Sequence, residues 1–285
     1  MTATTDQATG PPPVSTRPPV ISVVMAVLNG ARTLQRALDG IYQQSYPHWE
    51  IVVMDGGSTD GTQAILQANS DRISHWESGP DTGVFNAWNK ALDYTRGDWI
   101  CFLGADDWYA GQDVMAQVAD WITEDEAAHD VYYGHMDRHL ASGGVSHAVE
   151  RGWKRERRKR FRQGVMFPHP ASFTSRARLE AVGRFDESFA IAGDYELLLR
   201  ILKRGARAQF MDILVVNMTA GGISQQPRNR VRIAREVYRA RYLNGVVTTP
   251  AWRSPRLYRT LARTWVTFRL KPALQRVAAT VRRPG

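Results

Sequence analysis

Between residues 21 and 107, four short apolar runs alternate with three stretches of helical spacing. Ile21-Ser-Val-Val-Met-Ala-Val-Leu28 reads as a buried strand, being short, β-branched and followed by Asn29-Gly30. Leu34, Ala37, Leu38, Ile41 and Tyr42 then recur at helical spacing until Tyr46-Pro47 stops the helix. A strand over Trp49–Met54, a helix over Thr62–Ala68, a strand over Ile73–Glu77, a helix over Gly83–Tyr94 and a strand over Trp99–Leu103 follow. Such alternation implies a mostly parallel sheet with both faces covered by helices, an α/β class. Ligands of these sheets bind beyond the carboxyl ends of the strands. Here those ends carry Asn29, Asp55, Glu77 to Asp81, and Gly104-Ala-Asp-Asp107.

The second half is less regular. Val114, Val118, Trp121 and Ile122 mark a helix, and Val131–Met136 a strand. Phe167-Pro-His-Pro-Ala-Ser-Phe173 precedes a helix from about Asp194 to Lys203 and a strand over Gln209–Asn217. Residues 1–19, rich in Thr and Pro, are expected to form a disordered leader, 20–225 the α/β domain, and 226–285 a basic helical appendage. At 285 residues and 43% hydrophobic, the chain has enough apolar material for a substantial core. No apolar stretch approaches the ~20 residues of a spanning helix. No signal-like segment opens the chain, and Cys101 has no intrachain partner, so a disulfide scaffold is excluded and a cytoplasmic setting expected.

The net charge of +9 is unevenly spread. Residues 225–285 hold 15 Lys and Arg against one acid, Glu236, leaving 22 basic and 27 acidic residues in 1–224. A second knot, Arg151 to Arg162, carries eight basic residues and one Glu. Both point to an anionic partner. No zinc-finger spacing or RNA-binding signature accompanies them, so nucleic acid is not the expected partner.

Four positions are candidates for chemistry. Asp106-Asp107 follows a buried strand, and adjacent carboxylates there repel unless a divalent cation relieves them; a capped turn is the alternative. Asp55-Gly-Gly-Ser-Thr-Asp60-Gly61 sets a strand-end carboxylate on a glycine-rich turn, or is a plain turn capping the next helix. It is not a P-loop. Asp194 opens a helix, as an N-cap or as a general base facing a cleft. His169 lies between two prolines, as a structural or a functional histidine.

Taken in order, these segments resemble the inverting family 2 glycosyltransferases of the GT-A fold, above all the bacterial enzymes of lipopolysaccharide, exopolysaccharide and glycolipid synthesis. The resemblance covers about residues 20–225. It rests on Ser22–Asn29, Asp55–Thr62, Pro80–Lys90, Gly97–Asp107, His169–Phe173 and Gly193–Arg200. It implies that backbone at Ala26, Val27 and Leu28 and the side chain of Asp55 hold the base of a nucleotide sugar. Asp81, with Asn89 and Lys90 on the next helix, would help complete that pocket near the base or the diphosphate. Asp106 would face the ribose or the metal, and Asp107 would ligate Mg²⁺ or Mn²⁺ at the diphosphate. Asp194 would deprotonate the acceptor hydroxyl, with His169 on the diphosphate or acceptor side.

The implied reaction moves a sugar, from a UDP-sugar in the first instance, to a saccharide or lipid-linked acceptor. Binding of a nucleotide sugar without transfer, or nucleotidyl transfer, is the alternative. Three positions depart from the pattern: Gly104 stands for the first Asp of D-x-D, Gly193 for a Glu, and Pro170 for a Gln. With this resemblance, the basic tail with Trp252, Tyr258, Trp265 and Phe268 reads as attachment to the cytoplasmic face of an anionic inner membrane, or as a packing or oligomer surface.

Overall fold

The computed structural model describes residues 17–140, 143–148, 167–250 and 254–255. The strands expected in the first half are β1 (Ile21–Val27), β2 (Trp49–Asp55), β3 (His75–Ser78) and β4 (Trp99–Phe102), joined by α1 (Leu34–Tyr42), α2 (Thr62–Ala68) and α3 (Val84–Leu92). They pair in parallel in the order β3-β2-β1-β4. β3 starts two residues later than its apolar pattern, because Ile73 closes a turn by donating its N–H to the Asn69 carbonyl.

Alternate β1 side chains enter opposite cores. Ile21, Val23, Met25 and Val27 meet Leu34, Leu38 and Ile41 of α1, whereas Val24 packs with Phe85 of α3. This two-sided burial explains why β1 is apolar throughout rather than alternating.

The remainder consists of β5 (Trp108–Tyr109), α4 (Val114–Glu124), β6 (Val131–His139), β7 (Val145–Ala148), a 3₁₀ turn at His169–Ala171, β8 (Ser172–Ser175), α5 (Arg176–Val182), α6 (Gly193–Lys203), β9 (Ala208–Thr219) and α7 (Arg230–Leu243). β8 inserts antiparallel between β4 and β6, and β6 pairs in parallel with β9. The sheet is therefore mixed, with a parallel half at the N-terminal side. α7, where the expected appendage begins, lies on the domain: Ala240 is fully buried in the core shared by α3 and α6, and Val237 packs against it. Residues 1–16, the knot at 151–162 and nearly all of the tail beyond 250 lie outside the described residues.

Candidate active site

Register places the site. Val27 pairs with Asp55 and Asp55 with Ser78, so β1, β2 and β3 end level and their loops emerge at one edge. Asn29 turns the chain there with φ 53, a left-handed conformation that asparagine tolerates better than most residues. Its backbone N–H donates to Ser58 Oγ (2.7 Å), and its side-chain oxygen accepts the Thr59 N–H (2.9 Å). Asp60 takes the N–H (3.1 Å) and hydroxyl (2.6 Å) of Thr62 at the start of α2 and the Ala31 N–H (3.0 Å). The glycine-rich turn thus caps a helix and also joins two strand ends.

Asp55 is buried and organises this edge. Its carboxylate accepts the Ser58 N–H (3.0 Å) and hydroxyl and the Ser78 hydroxyl (2.5 Å). A cleft of about 60 Å³ opens beside it, lined by Glu77, Ser78, Asp81 and Lys90. Asp81 accepts the Gly83 N–H (2.9 Å) and lies so close over Gly56 that a Cβ there would meet its Oδ2 at 2.7 Å. Leu28 is 63% exposed beside the cleft, while the Val27 carbonyl accepts the Gly56 N–H (2.9 Å) and Ala26 is partly buried. Lys90 donates to the Pro80 carbonyl (3.2 Å).

Asn89 does not join this cleft. Its amide donates to the Phe185 carbonyl (3.0 Å) and Glu187 (2.8 Å) and accepts the Phe185 N–H (3.0 Å), so both ends hold the 185–187 loop. A larger cavity, about 350 Å³, lies at the opposite ends of the strands by Trp99 and Tyr132 and contains none of the residues expected in the site.

Beyond β4, Asp106 and Asp107 converge over Gly104. A Cβ there would lie 2.6 Å from Asp107 Oδ2 and 3.0 Å from Asp106 Oδ1. Glycine at this position leaves room for both carboxylates to fold inward. Burial, and then the charge of Asp106, pushes the Asp107 carboxyl up to about 7; burial raises Asp106 as well. Residues far away in sequence fix the loop. The Thr219 N–H donates to Asp107 Oδ1 (3.2 Å), its hydroxyl to the Asp106 carbonyl (2.6 Å), and Arg36 to the same carbonyl (2.8 Å). Arg36 also covers the Trp108 ring at 4.0 Å.

Two desolvated carboxylates facing each other over one point form an all-oxygen donor pair that suits Mg²⁺ or Mn²⁺. Among the described residues no group of three or more His, Cys, Asp or Glu could hold a metal.

Asp194 stands in the first turn of α6, partly buried, its Oδ1 accepting the Tyr195 N–H (2.7 Å). Burial outweighs that bond and raises its carboxyl to about 6. The preceding Gly193 abuts Phe85, where a Cβ would meet the ring at 2.7 Å, so glycine is what lets α6 approach α3. Phe85 leads into an aromatic cluster of Trp88, Phe102 and Phe185 that encloses His169. The His169 ring stacks on Phe102 (5.2 Å, 20°), and burial lowers it to about 4, leaving it neutral near pH 7. Phe102 is the last residue of β4, so this cluster joins the Asp194 helix to the strand that leads into Asp106 and Asp107.

Thr219 and Arg36 carry no signal in sequence, since long-range pairing alone brings them here; Phe85 lies in the Pro80–Lys90 segment, but its contact with Gly193 does not show there. Glu236 did leave a trace, as the one acid of a basic segment. Its carboxylate accepts the N–H groups of Ala190 (3.2 Å), Ile191 (2.9 Å) and Ala192 (2.8 Å) just before α6.

Comparison with known proteins gives a consistent picture. The family model "Glycosyl transferase family 2" matches residues 22–182. An uncharacterized glycosyltransferase of Mycobacterium tuberculosis is 31% identical over 186 residues, covering 65% of this chain and 70% of its own. A PGL/p-HBAD biosynthesis glycosyltransferase of Mycobacterium bovis is 28% identical over 211 residues, 72% of this chain and 79% of its own. The crystal structure of S. aureus TarS 1-349 with UDP-GlcNAc superposes with a TM-score of 0.64 at 17% identity, covering 87% of this chain and 80% of that one. The mannosyltransferase PcManGT from Pyrobaculum calidifontis, in complex with GDP-Man and Mn²⁺, gives 0.61 at 21% identity, covering 98% and 79%.

Proposed function

The chain belongs to glycosyl transferase family 2, and from that premise we propose that it moves a sugar, with inversion, from a nucleoside diphosphate to a hydroxyl of a saccharide or lipid-linked acceptor. The observation that carries this reading is the aromatic bridge. It links the helix in whose first turn the protonatable Asp194 stands to β4, the strand that leads into Asp106 and Asp107.

Asp106 and Asp107 would hold a divalent cation, Mn²⁺ or Mg²⁺, which when bound supplies Lewis-acid stabilisation to the departing diphosphate. Asp194 accepts the acceptor's hydroxyl proton while the oxygen forms its bond to the anomeric carbon and the bond to the diphosphate oxygen breaks. One base and attack opposite the leaving group give inversion. Asp55, Asp81 and Lys90, with backbone at Ala26, Val27 and Leu28, form the base side of the donor pocket. Asn89 contributes indirectly by holding the 185–187 loop. His169, neutral and enclosed by rings, presents an uncharged wall on the diphosphate or acceptor side.

The names of relatives support a cell-surface product: PGL/p-HBAD biosynthesis in Mycobacterium bovis and, over a shorter match, teichuronic acid biosynthesis in Bacillus subtilis. Among the described residues no helix is long and apolar enough to cross a membrane. A peripheral position on the cytoplasmic face of the inner membrane, held by the basic tail, completes the reading.

The test is thermal unfolding with UDP, GDP, dTDP or CMP, each with Mn²⁺ or EDTA, on the wild type and Asp107→Ala. A ligand that binds only the folded state raises apparent stability by mass action. One nucleotide should stabilise the wild type only with metal, and the variant should lose the response. No response to any nucleotide at millimolar concentration would count against a donor site here.

A further inference from the structure

We infer that Glu236, on the helix that opens the basic C-terminal segment, is a positioning residue for the Asp194 turn. It holds the backbone leading into α6 and so sets where the base stands. The inference rests on the reading of Asp194 as the base.

Three backbone N–H groups in a row, from Ala190, Ile191 and Ala192, point at one carboxylate from another helix. Ile191 and Ala192 are buried, so these donors depend on a protein partner. The partner is itself sheltered, with the Glu236 side chain only 12% exposed. Ala192 is the N-cap of α6, and Asp194 lies two residues on. An anion at this helix start also favours the α6 dipole.

The grip has a second point one turn along α7. Arg239 donates to Ser188 Oγ (2.5 Å), pairs with Asp186 (3.6 Å) and covers the Phe189 ring (4.4 Å). α7 thereby holds Asp186 and residues 188–192, with Arg239 on the first half and Glu236 on the second, while Glu187 is held by Asn86 and Asn89 of α3. Arg232 lies 4.0 Å from Glu236 and balances its charge from the solvent side. This arrangement accounts for the one acid among 15 basic residues in 225–285: an arginine there would face three N–H donors with more donors. It also makes a helix outside the family match at 22–182 part of the catalytic apparatus.

The experiment compares Glu236→Gln, Glu236→Ala and Asp194→Asn with the wild type in the full chain. UDP-glucose, UDP-N-acetylglucosamine and GDP-mannose are supplied with Mn²⁺ and with water as acceptor, and nucleoside diphosphate release is followed. Glu236→Ala should lower kcat about tenfold or more while donor KM stays within about twofold, the pattern of a lost transition-state contribution. Glu236→Gln keeps one carbonyl acceptor and the side-chain shape, and should recover part of that loss. Amide exchange at Ile191 and Ala192 should accelerate in the same order.

Wild-type kcat in both Glu236 variants beside an inactive Asp194→Asn overturns this inference alone. So does a donor KM that rises in step with the fall in kcat, which would mark general disruption. If Glu236→Ala does not fold, unchanged kcat in Glu236→Gln overturns it. Wild-type release by Asp194→Asn overturns the reading beneath it, as does a wild type whose thermal unfolding responds to none of the four nucleotides with Mn²⁺.

Discussion

Asp194 is held by opposing effects: burial favours its protonated form, and the Tyr195 N–H favours the anion. Burial prevails, bringing the carboxyl to about 6. A general base works only when deprotonated, so the transfer rate should fall tenfold per pH unit below about 6 and level off above it. The same shift carries a stability cost. The folded carboxyl binds its proton more tightly than the unfolded one, so its contribution to stability is full below pH 3.8 and is lost as pH rises through 6. Asp194→Asn removes the buried charge and should stabilise the protein by about 1–3 kcal/mol at pH 8 while abolishing transfer. Thermal unfolding at pH 8 and pH 4 checks this: the gain should shrink at the lower pH, and an equal gain at both would refute it. His169 works in the opposite direction. Burial lowers it to about 4, so its contribution is present above pH 6.5 and lost as pH falls through 4. The two windows overlap, which is why the comparison needs the variant rather than the wild-type curve alone.

At the scale of elements, the carboxylate loop is held by the end of a strand more than a hundred residues later in the chain. β9 runs for 12 residues, and its last, Thr219, donates to both the Asp106 carbonyl and the Asp107 carboxylate. Thr219→Val keeps the β-branched shape and the backbone N–H but removes the 2.6 Å hydroxyl bond. The expected result is a loss of about 1 kcal/mol in stability and a several-fold weaker metal-dependent response to nucleotide, read by thermal unfolding with Mn²⁺ against EDTA. Equal responses in variant and wild type would mean the loop holds itself. None of this pairing was legible in sequence, whereas the loop's own acids were. The same division runs through the fold. β1, β2 and β4 announce themselves because they are buried on both faces, and their helices because each shows one apolar side; β3, half-buried at the sheet edge, is the strand whose start the apolar pattern misplaced. The β6–β9 pairing does not, since its register slips at Tyr133, His135 and Met136. Asn89 was legible as a polar residue near the pocket, but the direction of its amide depends on where the 185–187 loop lies.

For the molecule as a whole, the question is how its basic end is divided. The arginine-rich segment contains at least two parts with different work. α7 is bound into the domain through Ala240, Arg239 and Glu236, so its charge is partly committed to protein contacts. Residues 256–285 carry eight Lys and Arg and no acid, with Trp265 and Phe268 among them. Near an anionic bilayer each basic residue contributes about 1 kcal/mol, an attraction that fades within a Debye length of ~8 Å at physiological salt. Deleting 256–285 should therefore abolish co-sedimentation with vesicles containing phosphatidylserine, while the full chain binds them at low salt and releases them at high salt. The deletion leaves α7 in place, so metal-dependent stabilisation by nucleotide should persist. Retained vesicle binding would move the membrane contact to the knot at 151–162, and binding to neutral vesicles would point to apolar insertion over charge. Loss of the nucleotide response would instead tie the terminal segment to the domain, making it a packing surface for the catalytic fold rather than an anchor.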